Sequence, residues 1–231
     1  MKRAAVGFRV RSGWAALVAL ASGEGPPKNG ARKSGEPAIL VRRRIHLVKN
    51  FTHEYRQPYH TASKLSSDEG RALIAYVKRE SRELAVRAIR ELQSELREHG
   101  FSLERCGLLL ASGRPLPALP KILAAHSLIH TADGKLFREA ILHAANRCGL
   151  QTLTVKERDL LDSASRAFHR PTAALARRLS ALGAGLGPPW SQDEKFALLV
   201  AWLAVSSSVT LPRAASSFAS SSLATRAQEV R

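Results

Sequence analysis

The sequence predicts an α/β domain in which a small, mostly parallel sheet is flanked by helices. Residues 106–113 (CGLLLASG) and 150–155 (LQTLTV) are short apolar runs, which are typical of buried strands. Segments with one apolar stripe precede, separate and follow these runs, and strands that alternate with helices favour a parallel layer. The 231 residues are 45% hydrophobic and 24% charged with only two cysteines, which excludes disordered, fibrous and disulfide-framework proteins.

A long helix opens the predicted core. Ser66 and Glu69 have the spacing of a capping box, and apolar side chains then recur at helical spacing from Leu73 to Leu96. Gly100 stands where a left-handed residue ends many helices. Acidic and basic side chains alternate on the other face of this helix, and we expect that face to be solvated.

The remaining helices complete the predicted core as far as residue 205. Segments 121–130, 131–149, 157–168 and 172–182 have helical patterns. The last helix starts at a second capping box, Ser191 with Glu194, and is apolar nearly all round over 196–205, so we expect it to be buried. Residues 206–231 are rich in Ser and Ala without a stripe, which predicts a low-complexity tail.

The front of the chain carries most of the positive charge. Residues 1–65 have a net charge of +10, out of +17 for the whole chain. We interpret 1–37 as an irregular basic lead-in and linker, 38–48 as a strand and 51–65 as a loop, so that the domain spans 66–205. The apolar run Trp14–Ala21, which follows four basic residues, also fits a secretory or organellar targeting segment within 1–22.

These charges bear on partners and location. A basic surface attracts nucleic-acid phosphates or anionic lipid. No run of about 18 apolar residues occurs, so we expect no transmembrane segment. The expected location is the cytoplasm, or an exported or organellar one if 1–22 is a targeting segment.

Two histidines raise the question of a metal site. His126 and His130 stand four residues apart, which places both imidazoles on one face of a helix, as in zinc-binding helices. His143 or Cys148 could supply a third ligand. The alternative is that these histidines are packed in the protein or exposed on its surface without binding a metal ion.

Three carboxylates are candidates for a magnesium site: Asp133 and Glu139 in one helical segment, and Asp193 at the start of the last helix. Acids that converge on Mg²⁺ hold the metal ions of many nucleases. The alternative is structural, because Asp133 could serve a helix start after Thr131, and Asp193 could serve the second capping box.

Residues 101–204 resemble a ribonuclease H-like domain of the RuvC resolvase type. The similar pieces are CGLLLASGRP, HTADGKLFREAILHAANRCGL, QTLTV with its helix, and QDEKFALLVAWLAV. In that family, carboxylates on the first strand, a middle element and the last helix bind Mg²⁺. The resemblance implies that Asp133 or Glu139 is the middle acid and Asp193 the last one. The predicted early strand, 38–48, contains neither Asp nor Glu, which leaves an inactive relative or a binding module as an alternative.

Two function classes follow. In the first, the protein associates with nucleic acid and hydrolyses phosphodiesters with Mg²⁺ held by Asp133 and Asp193, bound water being the nucleophile. In the second, it is a non-catalytic scaffold or a homo-oligomeric module. There the apolar helix 190–205 and the stripe 73–96 would bury a partner's face.

Overall fold

Five strands form one mixed sheet in the order β3-β2-β1-β4-β5. The structure is a computed structural model that describes residues 1–21, 37–111, 115–183 and 185–207. The strands are β1 (Lys2–Arg11), β2 (Trp14–Ala21), β3 (Ala38–His46), β4 (Phe101–Leu110) and β5 (Gln151–Lys156). β1 pairs with β2, and β2 with β3, in antiparallel register, whereas β1 with β4 and β4 with β5 are parallel.

Helices cover both faces of this sheet. They are α1 (His53–Arg56), α2 (Pro58–Ala62), α3 (Ser67–Glu98), α4 (Leu119–Leu123), α5 (His126–Arg147), α6 (Leu160–Phe168), α7 (Thr172–Leu182) and α8 (Gln192–Ser206). The face with α3 and α5 buries alternate strand residues such as Val6, Phe8 and Leu17. The other face, with α6, α7 and α8, buries the intervening residues such as Val18 and Leu20. The molecule is thus a three-layer α/β/α arrangement, and the predicted α/β class is confirmed.

The front of the chain is part of the sheet, so the predicted domain start at Ser66 is wrong. β1 is the central strand and β2 lies beside it, with nearly every side chain buried. A two-residue turn, Ser12-Gly13, joins them and pairs Arg11 with Trp14, with Gly13 at a φ of 80°. The run Trp14–Ala21 is β2, and it is apolar because both its faces are covered by helices.

Of the other predictions for the N-terminal 65 residues, one is confirmed and others are wrong. The strand predicted over 38–48 is β3, and the loop predicted over 51–65 contains the short helices α1 and α2. Because β1, β2 and β3 pair in antiparallel register, the sheet is mixed rather than mostly parallel. The predicted linker lies outside the described residues except for Pro37, and so does the predicted tail from residue 208 onward.

Both predicted capping boxes are present, at Ser66 with Glu69 and at Ser191 with Glu194. α8 is buried against the sheet of its own chain, and the stripe of α3 is buried in the core with α5. These two helices therefore do not present the apolar faces that the scaffold hypothesis needs. None of the described helices is long and apolar enough to cross a bilayer.

The helix break predicted at Thr131 is wrong: α5 runs without interruption from His126 to Arg147, and the start of the predicted segment 121–130 belongs to the separate helix α4. The Thr131 hydroxyl donates a hydrogen bond to the Ser127 carbonyl (2.9 Å) one turn earlier instead of capping a new helix. Asp133 consequently lies inside α5 and is almost completely buried, which removes the capping explanation for this carboxylate.

Candidate functional site

Arg9 lies near the carboxyl-terminal ends of the parallel strands β1, β4 and β5. We call this end of the strands the edge of the sheet. Its side chain is on the α8 side of β1 and is buried, with 4% of the residue exposed. Glu157 follows β5 directly and Asp193 lies in the first turn of α8, so both carboxylates reach the same edge. In open α/β sheets this edge is where ligands bind.

The Arg9 guanidinium joins the two carboxylates. Its Nε donates a hydrogen bond to Glu157 Oε2 (3.2 Å), and its Nη2 donates to Glu157 Oε1. Its Nη1 lies 3.0 Å from Asp193 Oδ1. The guanidinium also lies over the Phe196 ring, with 4.8 Å from its central carbon to the ring centroid. Arg9 is thus held by two ion pairs and a cation–π contact.

Two more arginines add positive charge to this edge. Arg11 Nη2 lies 2.8 Å from Asp193 Oδ1, and its Nε also donates to that oxygen (2.9 Å). Burial lowers the pKa of Arg138 on α5, with a further lowering by the charge of Arg11, while the charge of Glu157 raises it. Three guanidinium groups therefore surround two carboxylates, and the site as a whole is cationic.

This edge does not fit the magnesium ion that the resemblance implies. Mg²⁺ binds carboxylate and water oxygens, but β1 (KRAAVGFRVR) contains no acid. The Arg9 guanidinium already lies between Glu157 and Asp193, where it satisfies both carboxylates. A dication there would displace a buried cation or be repelled by it.

The three predicted site residues do not come together. Among the described residues, Asp133, Glu139 and Asp193 form no cluster that could share a metal ion. Asp193 is at the expected place on the last helix, but its partners are Arg9 and Arg11. The predicted magnesium site of these three acids is therefore not formed, because two of them are on α5 and face other neighbours.

Asp133 is bound by α2. Its Oδ1 accepts a hydrogen bond from the Tyr59 backbone N–H (2.8 Å), and its Oδ2 lies 2.6 Å from His60 Nδ1. Burial raises the pKa of Asp133, and the hydrogen bonds from Tyr59 and His60 oppose that rise. Burial also raises the pKa of the Tyr59 phenol, with smaller contributions from the charges of Glu139 and Asp133.

Glu139 lies at the rim of a separate cavity. Its Oε1 is 3.6 Å from Lys135 Nζ, one turn earlier on α5. With Lys135 and Arg138 it lines a cavity of about 330 Å³ beside Leu110, at the end of β4. The local charge is positive, which suits an anion better than a metal ion.

Sequence reasoning missed Arg9 and Glu157. Arg9 interrupts an otherwise apolar strand, and the turn signal Ser12-Gly13 after it marks a hairpin. Those two features could have identified β1 and its buried charge. Glu157, two residues after the recognised run QTLTV, is at a strand end where functional side chains often lie.

A second charged feature is an open groove of about 840 Å³ between α3 and α5. We call it the α3–α5 groove. Two acids line it, Glu83 and Glu91, together with His143 and six bases: Lys78, Arg79, Arg82, Arg87, Arg90 and Arg147. Among the described residues, the bases that lie within 4.0 Å of a carboxylate oxygen are not those of the groove. An example is Arg43, which pairs with Glu95. The positive charge of the groove is therefore not neutralised by bridging acids.

No family model matches the sequence, and no curated protein matches it. Two solved structures are similar to this chain over most of its length. The RuvC structure from Thermus thermophilus is 10% identical, with a TM-score of 0.45 over 86% of this chain and 91% of that one. The T. thermophilus RuvC in complex with a Holliday junction substrate is 9% identical, with a TM-score of 0.47 over 87% and 90%. Both are RuvC structures, the type that residues 101–204 resemble, and each is similar to most of this chain rather than to that segment alone.

Proposed function

We propose that this protein binds nucleic acid through the α3–α5 groove and does not hydrolyse it at the edge of the sheet. The observation that carries the proposal is the charge of the groove, where six bases and two acids line one open surface of two rigid helices. Phosphate backbones bind such surfaces through Lys and Arg, with release of condensed counterions. The groove belongs to the folded core, so this attraction does not depend on a basic tail.

The helix geometry supports a backbone-binding surface. Arg79, Arg87 and Arg90 are exposed on α3, and Arg147 is exposed at the end of α5. Arg79 and Arg87 are about 12 Å apart along the axis of α3 (eight residues), a span that two or three successive phosphates of one strand can bridge. Because these contacts address phosphates, we expect binding with little preference for sequence.

We expect neutral substitutions in the groove to weaken binding in a salt-dependent way. The triple variant Arg79→Gln, Arg87→Gln, Arg90→Gln removes three exposed cations. Each lost phosphate contact should lower the slope of log affinity against log salt by about one, so the slope should fall by about three. Fluorescence anisotropy with a labelled DNA duplex and a labelled RNA strand, over a series of salt concentrations, measures this slope.

The matched control is Arg158→Gln, Arg166→Gln, Arg170→Gln, which makes the same change in net charge on exposed residues next to and in α6. We expect this control to keep most of the affinity and the slope. An equal loss in both triple variants would show that only net charge matters, and the proposal would fail.

We expect no Mg²⁺-dependent cleavage of branched or duplex DNA by the full chain. The physical reason is that Arg9 already pairs with Glu157 and Asp193, the acids that reach the sheet edge. A gel assay with millimolar Mg²⁺ measures this directly. Cleavage that Asp193→Ala abolishes, with binding retained, would contradict this part of the proposal and restore the nuclease hypothesis.

A further inference from the structure

Three histidines from two helices meet on the surface next to Asp133. His126 and His130 lie one turn apart at the start of α5, and His60 comes from α2, which packs on α5. One ring nitrogen from each histidine lies within 4.8 Å of the other two. The ring centroid of His60 is 4.4 Å from that of His130 and 5.2 Å from that of His126. We call this the three-histidine cluster.

The inner histidine is oriented by a buried carboxylate. His60 Nδ1 lies 2.6 Å from Asp133 Oδ2, and a neutral His60 that donates from Nδ1 to this carboxylate keeps the lone pair of Nε2 available for a metal ion. The other oxygen of Asp133 is fixed by the Tyr59 backbone N–H. A histidine that gives its second nitrogen to a carboxylate is the usual arrangement around protein-bound zinc, where the carboxylate sets the tautomer and strengthens the ligand.

The two outer histidines present the same atom to each other. His126 Nε2 and His130 Nε2 are 2.9 Å apart. Two nitrogens bound to one tetrahedral zinc ion at about 2.0–2.1 Å lie about 3.3 Å apart, so small rotations of exposed side chains would reach that geometry. A single proton shared between the two rings is the alternative explanation of this pair, and a titration with metal ions distinguishes the two.

The donor set selects the class of metal. Three imidazole nitrogens suit Zn²⁺, Co²⁺, Ni²⁺ and Cu²⁺, whereas Mg²⁺ and Ca²⁺ require oxygen ligands. Three protein ligands leave one tetrahedral position open, and His126 and His130 are exposed, so water can reach it.

We propose that His60, His126 and His130 bind one divalent transition-metal ion of the zinc class, with Asp133 as the residue that positions His60. The fourth coordination position is open to water or to an anionic ligand. The third histidine is thus His60, and not His143 or Cys148. His143 lines the α3–α5 groove, and the Cys148 thiol lies 3.9 Å from the Val86 carbonyl oxygen.

The test uses the full chain without a histidine tag, treated with a chelator and then titrated. We expect isothermal titration with Zn²⁺ to show one tight site per chain. Co²⁺ should produce visible absorption bands of a four-coordinate ion. Because a metal ion that binds only the folded state stabilises it, Zn²⁺ should also raise the melting temperature.

Variants assign the site to these residues. His126→Gln and His130→Gln should each weaken Zn²⁺ binding by at least about 100-fold, and Asp133→Asn, which keeps the acceptor for Tyr59, by about 10–100-fold. The matched control His99→Gln removes an exposed histidine at the end of α3 and should leave the affinity unchanged. Absence of a tight site in the unsubstituted chain, or an equal loss in His99→Gln, would overturn the proposal.

Discussion

The substitution Arg9→Asp should destabilise the protein strongly, and Mg²⁺ should restore part of the loss. It removes the cation that pairs with Glu157 and Asp193 and adds a third carboxylate at the same edge. Removal of one partner from a buried ion pair costs about 3–5 kcal/mol, and the partial exposure of Glu157 (38%) places the loss near the lower end. Three convergent carboxylates then offer the oxygen ligands that Mg²⁺ prefers.

Urea unfolding followed by circular dichroism, with and without millimolar Mg²⁺ at constant ionic strength, measures both effects. At a Mg²⁺ concentration of 100 times its dissociation constant the free energy of unfolding should recover by about 2.7 kcal/mol. The control Arg9→Asn loses the cation without gaining a carboxylate, and we expect it to be destabilised without a response to Mg²⁺. No recovery in Arg9→Asp, or an equal recovery in Arg9→Asn, would show that the added carboxylate does not create a metal site.

The substitution Gly7→Ala should have a comparably large effect on stability through packing alone. A methyl group at Gly7 would lie 1.9 Å from the Ala197 carbonyl oxygen and 2.8 Å from the Ala201 backbone nitrogen. Both are backbone atoms of α8, so the whole helix would have to move away from β1. Overpacking usually costs about 1–3 kcal/mol, and we expect this backbone clash to exceed that range.

Two further glycines give a graded test of the same contact. At Gly107 on β4 a methyl group would lie 2.4 Å from the Val200 carbonyl oxygen, and at Gly185 it would meet no atom within 4 Å. The loss of unfolding free energy should therefore decrease from Gly7→Ala to Gly107→Ala, with Gly185→Ala within about 0.5 kcal/mol of the unsubstituted protein. Any other order in urea unfolding would contradict the close approach of α8 to β1 and β4.

Much of the second half of the fold could be predicted because its signals are local. A capping box requires only two residues three positions apart, and those of α3 and α8 are both present. The runs CGLLL and QTLTV are strands that pair in parallel, as the alternation with helices predicts. The buried all-apolar helix α8 was equally recognisable, because burial on all sides leaves no polar stripe.

The first half was harder because its strands lack the usual pattern. β2 is covered on both faces and therefore shows no alternation of polar and apolar residues, and basic residues at both ends of β1 resemble a basic lead-in. The two sites were also hard to predict, because their contacts join residues that are far apart in the sequence. The contact of His60 with Asp133 joins residues 73 positions apart, and that of Arg9 with Glu157 joins residues 148 apart.

The sequence by itself determined most of the helices and strands after residue 66, though not the continuity of α5 through Thr131. It also determined the α/β class, the excess of positive charge, and the histidine pair on one helical face. These properties depend on neighbours within a few residues or on composition. Only the tertiary structure decided that the front of the chain supplies the central strand, that Arg9 and not a metal ion lies between two carboxylates, and that a third histidine completes a cluster. Each of these depends on which distant segments pack together, and that is set by burial across the whole sheet rather than by local spacing.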